Sequence, residues 1–168
     1  MRMISRKRSA ASHSFTISKE QDMEIKKLSL QDIFNAAWQH FVVEENYAAV
    51  DDTSSCVYIS DTGNMCAVGC ALPQELLDKL LIDGNNTNTS FPRVVKAYPQ
   101  YFQDDVIKLA ERYDSLVIFQ SRLHDNLLDF LGKSDYNSRI MIEGTYRVIA
   151  NRFGLTVPEE TSSFMKDE

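Results

Sequence analysis

Apolar side chains recur at helical spacing in three separate stretches, and this periodicity more than any other feature limits the folds open to the chain. In residues 30–45, Leu30, Ile33, Phe34, Ala37, Trp38, Phe41 and Val42 share one face, and Ser29 with Asp32 forms an S-x-x-D capping signal ahead of them. From 104 to about 131, Leu109, Tyr113, Leu116, Val117, Leu123, Leu127 and Leu131 form a second stripe, read as one helix or as two broken near Ser115. A last helix is predicted from about Tyr136 to Phe153, where Gly154 followed by Leu155 has the pattern of a Schellman stop. Faces of this kind must be buried against one another, and 168 residues at 43% hydrophobic content supply one core of ordinary domain size.

The period changes in the middle. Cys56-Val57-Tyr58-Ile59 and Met65-Cys66-Ala67-Val68-Gly69-Cys70 flank Asp61-Thr62-Gly63-Asn64, which predicts a β-hairpin with a loop of about four residues. Pro73 opens a helix through Leu76, Leu77, Leu80 and Leu81 that Gly84 closes, and a Gly/Asn/Thr-rich loop over 83–90 leads to a short helical piece around Val94–Tyr98. The expected fold class is therefore α+β: mostly helical, four or five helices packed with a small antiparallel β-hairpin. The expected organisation is a basic, flexible arm over 1–28, one globular domain over 29–155, and an acidic tail over 156–168.

Charge is unevenly spread. Residues 1–28 carry seven Lys/Arg against three acids, while the rest of the chain carries eleven against twenty-one, giving −6 overall. An acidic body repels phosphate backbones, so nucleic acid could be met only through the arm, with Arg2, Arg6, Lys7 and Arg8 as contacts. A solvated terminus is the simpler account of the same residues. No stretch approaches the roughly 18 apolar residues of a membrane span. Three cysteines, an odd number, and a start without an apolar leader point to the cytoplasm and to reduced thiols.

The run Tyr58-Ile59-Ser60-Asp61-Thr62-Gly63-Asn64-Met65-Cys66-Ala67-Val68-Gly69-Cys70-Ala71-Leu72-Pro73 resembles a Y-x(4)-G-x-x-C-A-V-G-C-L-I-P signature. That signature belongs to a family of small uncharacterised bacteriophage and bacterial proteins. Leu30-Gln31, the segment Phe119-Gln120-Ser121-Arg122-Leu123-His124-Asp125 and the ending Phe153-Gly154-Leu155 are similar to further pieces of that pattern, so the resemblance spans roughly 29–155. Ala71-Leu72 stands where the pattern has Leu-Ile, and the arm and the Asn/Thr loop are longer here. The resemblance implies a phage or bacterial origin and brings no activity with it.

Chemistry has few places to reside. Cys66, close to a Gly-containing turn and a helix start, could be a nucleophile with His124 as base and Gln120 as a polar aid, since Gln120 and His124 lie one helical turn apart. Against this, Cys66, Val68 and Cys70 alternate as buried residues of a strand do. A Cys56, Cys66, Cys70 and His zinc site is disfavoured, because 66 and 70 would lie about 13 Å apart along a strand. His124-Asp125 lacks companions for a metal-dependent phosphohydrolase, and no phosphate-cradling or serine-hydrolase motif is present. No metal and no cofactor are expected. Tyr98, Tyr101 and Phe102, grouped around Pro99 after a polar loop, suggest a protein-binding patch. These readings favour a non-enzymatic accessory protein that binds or modulates a protein partner. A small cysteine-dependent enzyme and a structural virion component are the alternatives.

Overall fold

Ser29 does what its spacing predicts: its hydroxyl accepts the Asp32 N–H at 3.0 Å while the Asp32 carboxylate accepts the Ser29 N–H at 2.9 Å, and helix α1 (Leu30–Trp38) starts there. The computed structural model describes residues 25–51, 56–87, 89–124 and 127–159. The basic arm residues Arg2, Arg6, Lys7 and Arg8 lie outside them, as do Asp125 and the tail beyond Glu159. Among the described residues five further α-helices follow: α2 (Gln74–Ile82), α3 (Phe91–Ala97), α4 (Asp104–Glu111), α5 (Tyr113–Leu123) and α6 (Tyr136–Phe153).

α1 widens into a π-helical turn over Gln39–Val43, where the Glu44 N–H reaches the Gln39 carbonyl at 2.9 Å. The long 104–131 pattern breaks at Arg112, which leaves helical geometry at φ −93 and ψ 74. Leu127 and Leu131 stay in the core although the chain there runs in turns. α6 ends as the sequence requires: Gly154 is left-handed at φ 66 and the Leu155 N–H closes onto the Ala150 carbonyl at 2.8 Å.

The hairpin does not form, and the fold is all-α. Among the described residues pairing is limited to isolated bridges, one of them Ile59 with Met65 around a tight turn at Gly63. After Met65 the chain coils instead of extending. The Cys70 N–H bonds the Cys66 carbonyl at 3.0 Å, the Gly69 N–H bonds the Cys66 sulfur at 3.2 Å, and Gly69–Ala71 is a 3₁₀ turn. Small residues permit this: a Cβ on Gly69 would lie 2.0 Å from the Tyr58 carbonyl oxygen, so only glycine lets the two backbones meet. The pairing edge of 57–59 is used by other partners. Val57 donates to Ala49, Tyr58 donates to Asn86, and the Asn86 side chain grips both the N–H (3.1 Å) and the carbonyl (2.9 Å) of Ile59.

The core is one continuous cluster. α1 packs on the Gly69–Ala71 turn, its π-helical extension on α6, and α5 on α3, α4 and α6. Phe34, Trp38 and Tyr146 form its aromatic centre with ring separations of 5.9 to 6.2 Å. At the margins, Leu28 exchanges backbone bonds with Tyr101 and Gln103, which ties one residue of the stretch expected to be an arm to the domain. Thr156 exchanges two with the Gln31 side chain, which anchors the start of the expected tail. No helix among the described residues is long and apolar enough to cross a membrane.

Candidate functional site

A cavity of about 240 Å³ opens where the coiled 56–70 segment, the 83–90 loop and α5 meet. Cys56 and Cys66 line it on one side, Asn86, Thr89 and Ser90 on another, and Val117 and Gln120 of α5 complete it. The loop wall is fixed by the Asn86 grip on Ile59 and by the Tyr58 hydroxyl, which donates to the Thr89 carbonyl at 2.9 Å. The Gln120 Oε1 accepts the Phe91 N–H at 2.8 Å, holding α5 to the start of α3 and leaving its amide nitrogen as the donor end. Among the described residues no charged side chain lines the space.

Cys66 sits where hydrogen-bond donors converge on sulfur. Only 1% of it is exposed, and that burial pushes the thiol up. The Cys56 thiol hydrogen-bonded to it, the charge of His124 and the N–H groups of Gly69 and Val68 outweigh burial and bring it from 9.0 down to about 7. Cys70, one helical turn on, goes the other way. Burial and the neighbouring Cys66 charge hold its proton on well above the ordinary thiol range, and its Sγ donates to the Ala67 carbonyl at 3.4 Å. Strand alternation, the ground for treating the two thiols alike, is absent.

Of Cys66, Gln120 and His124, proposed together from the sequence, Cys66 and Gln120 line the cavity and His124 does not. The imidazole stands beside the other thiol: His124 Nε2 is 4.0 Å from the Cys56 sulfur. His124 is 1% exposed, just past the end of α5, with the Phe41 ring 6.3 Å away. Cys56 was weighed in the sequence only as a metal ligand. The signal that could have found it is the turn at Gly63: Ile59 bridges Met65 and the Cys66 N–H bonds the Tyr58 carbonyl at 3.1 Å, which brings the segment beginning at Cys56 alongside Cys66. The zinc argument from strand spacing loses its premise, and among the described residues no group of three or more His, Cys, Asp or Glu side chains could hold a metal ion.

The aromatic patch is corrected more fully. Tyr101 is 1% exposed and Phe102 is entirely buried, edge-on to Phe91 at 5.7 Å. The Tyr101 hydroxyl donates to Glu75 at 2.7 Å and accepts from Lys79 at 2.8 Å, and Lys79 also bonds Glu75 at 2.7 Å. Tyr98 is half-buried, with its hydroxyl on Asp83. These rings join α2, α3 and α4 to one another and present no apolar face. No family model, curated relative or solved structure matches the chain.

Proposed function

We propose that the protein is a small thiol-dependent enzyme in which Cys66 is the nucleophile toward a small ligand held in the 240 Å³ cavity. The observation that carries this reading is the set of donors, Gly69 N–H and Cys56 S–H, aimed at one sulfur on the wall of that cavity. A thiol that only fills space needs no such set, as Cys70 illustrates. Burial of Tyr101 and Phe102 removes the residues on which a docking role was expected to rest.

Each neighbour then has a part. Cys56 stabilises the thiolate through its hydrogen bond, His124 beside Cys56 supplies positive charge, and the Gln120 amide offers a donor to a polar group of the ligand. Neutral walls of Asn86, Thr89 and Ser90 suit an uncharged, hydroxyl- or amide-bearing ligand.

The test is alkylation of the native protein by iodoacetamide across pH, with the modified residue located by mass spectrometry. Cys66 should react first, its rate following a midpoint near pH 7, while Cys70 stays unmodified until denaturation. Thiols that all remain inert until the protein unfolds would overturn the reading and leave Cys66 as core packing.

A further inference from the structure

The position of His124 separates two kinds of thiol chemistry. In acyl transfer the base belongs on the nucleophile, so that it can take and return the same proton. Here the imidazole lies against the second thiol, both thiols line the same cavity, and a hydrogen bond links the second to the first. Two thiols on one cavity wall, with an imidazole beside the second, is the arrangement that a two-step exchange requires. We infer that Cys66 and Cys56 form a dithiol–disulfide couple that reduces a small neutral disulfide, with Cys66 as the attacking and Cys56 as the resolving sulfur. This rests on Cys66 as nucleophile and adds to it the substrate class and the second participant.

The steps balance. The Cys66 thiolate attacks one sulfur of the disulfide R–S–S–R, forming a Cys66–S–S–R mixed disulfide and releasing R–S⁻, which takes the proton of the charged His124 and leaves the imidazole neutral. Capture of Cys66 removes the acceptor of the Cys56 S–H, and His124 Nε2 takes that proton. The Cys56 thiolate then attacks the Cys66 sulfur, forming the Cys56–Cys66 bond and expelling the second R–S⁻, which takes the proton from His124. The protein dithiol is oxidised by two electrons, and R–S–S–R is reduced to two R–SH.

Cys70, the other thiol within reach of Cys66 along the chain, is the poor competitor: its S–H is committed to Ala67 and its proton is tightly held.

The experiment uses the full chain and 2-hydroxyethyl disulfide, followed by acid quench, alkylation under denaturing conditions and peptide mapping. The expected result is an intramolecular Cys56–Cys66 bond with Cys70 alkylated. Cys56→Ser should lose that bond and accumulate the mixed disulfide on Cys66, and its Cys66 alkylation midpoint should move up from about 7 toward the ordinary 9.0. Cys70→Ser should form the Cys56–Cys66 bond at the unchanged rate. A Cys66–Cys70 bond would overturn the inference, as would a wild-type mixed disulfide that persists unresolved. Because the wild-type map needs no variant, it decides the matter even if Cys56→Ser fails to fold. Rapid iodoacetamide labelling of Cys66 without any internal disulfide would end this inference and leave Cys66 as nucleophile standing. Inert thiols in both assays would end both.

Discussion

The turn around Cys66 and the joint around Tyr101 each bury a side chain that ends in a polar atom, and they complete that atom in opposite ways. Tyr101 meets a donor and an acceptor of opposite charge, Lys79 and Glu75, so its hydroxyl closes a neutral circuit. Cys66 meets donors only, from Gly69, Val68 and Cys56, with a positive charge beyond them at His124. A closed circuit holds helices in place and has nothing left to do. Donors aimed at the sulfur favour negative charge on it, beside a cavity.

The largest expected effect breaks the structural half of this contrast. Tyr101→Ala removes a fully packed ring and should cost about 3–5 kcal/mol, seen as a lower denaturant midpoint, while native Cys66 alkylation below that midpoint keeps its pH profile. A Tyr101→Ala protein of unchanged stability would mean the joint is not the core element described here.

Gly69→Ala should follow, at about 1–3 kcal/mol or more, because the new methyl collides with the Tyr58 carbonyl. Unlike Tyr101→Ala it should also shift the alkylation profile upward, since the Gly69 N–H can no longer sit on the sulfur. Loss of stability with an unmoved profile would show that this N–H does not support the thiolate.

pH sharpens the same contrast between the two buried thiols. The folded Cys66 titrates lower than in the unfolded chain, so its contribution to stability is fully present above pH 9.0, shrinks as pH falls toward about 7, and is lost below that. Cys70 is raised, so its contribution is whole below pH 9.0 and declines above it. The difference in unfolding free energy between wild type and Cys66→Ala should therefore grow from pH 7 to 9. That for Cys70→Ala should stay flat over the same window. Parallel curves would mean the two sulfurs share one environment. Smallest of all, Tyr101→Phe should cost about 1 kcal/mol, since its half-exposed partners can turn to water.

Much of the helical frame was legible in advance because it depends on local chemistry. Ser29 and Asp32, Pro73, and Gly154 with Leu155 fix helix ends through hydrogen bonds within a few residues of each other. The 56–70 segment was misread because its outcome depends on distant partners. Val57, Tyr58 and Ile59 have strand-forming side chains, yet Ala49 and Asn86 claim their backbone, and the small residues after Cys66 let the chain coil. The Tyr98–Phe102 cluster was misread for a related reason: an aromatic beside proline looks the same on a surface as in a joint, and only Glu75 and Lys79, twenty-two or more residues away, distinguish them. Within the candidate site, Cys66, His124 and Gln120 were readable from residue type and spacing, whereas the part played by Cys56 depended on a contact 68 residues long.

The reciprocal pair of hydrogen bonds between Gln31 and Thr156, at 2.8 and 2.9 Å, has a topological meaning. It brings the beginning of the first helix and the chain leaving the last one to the same spot, so the described fold closes into a ring in space. The order in which the helices are strung is then separable from the way they pack. A chain joined across that point and reopened in the turn after Gly132 would carry the same set of contacts, with Cys56 and Cys66 still on the wall of one cavity.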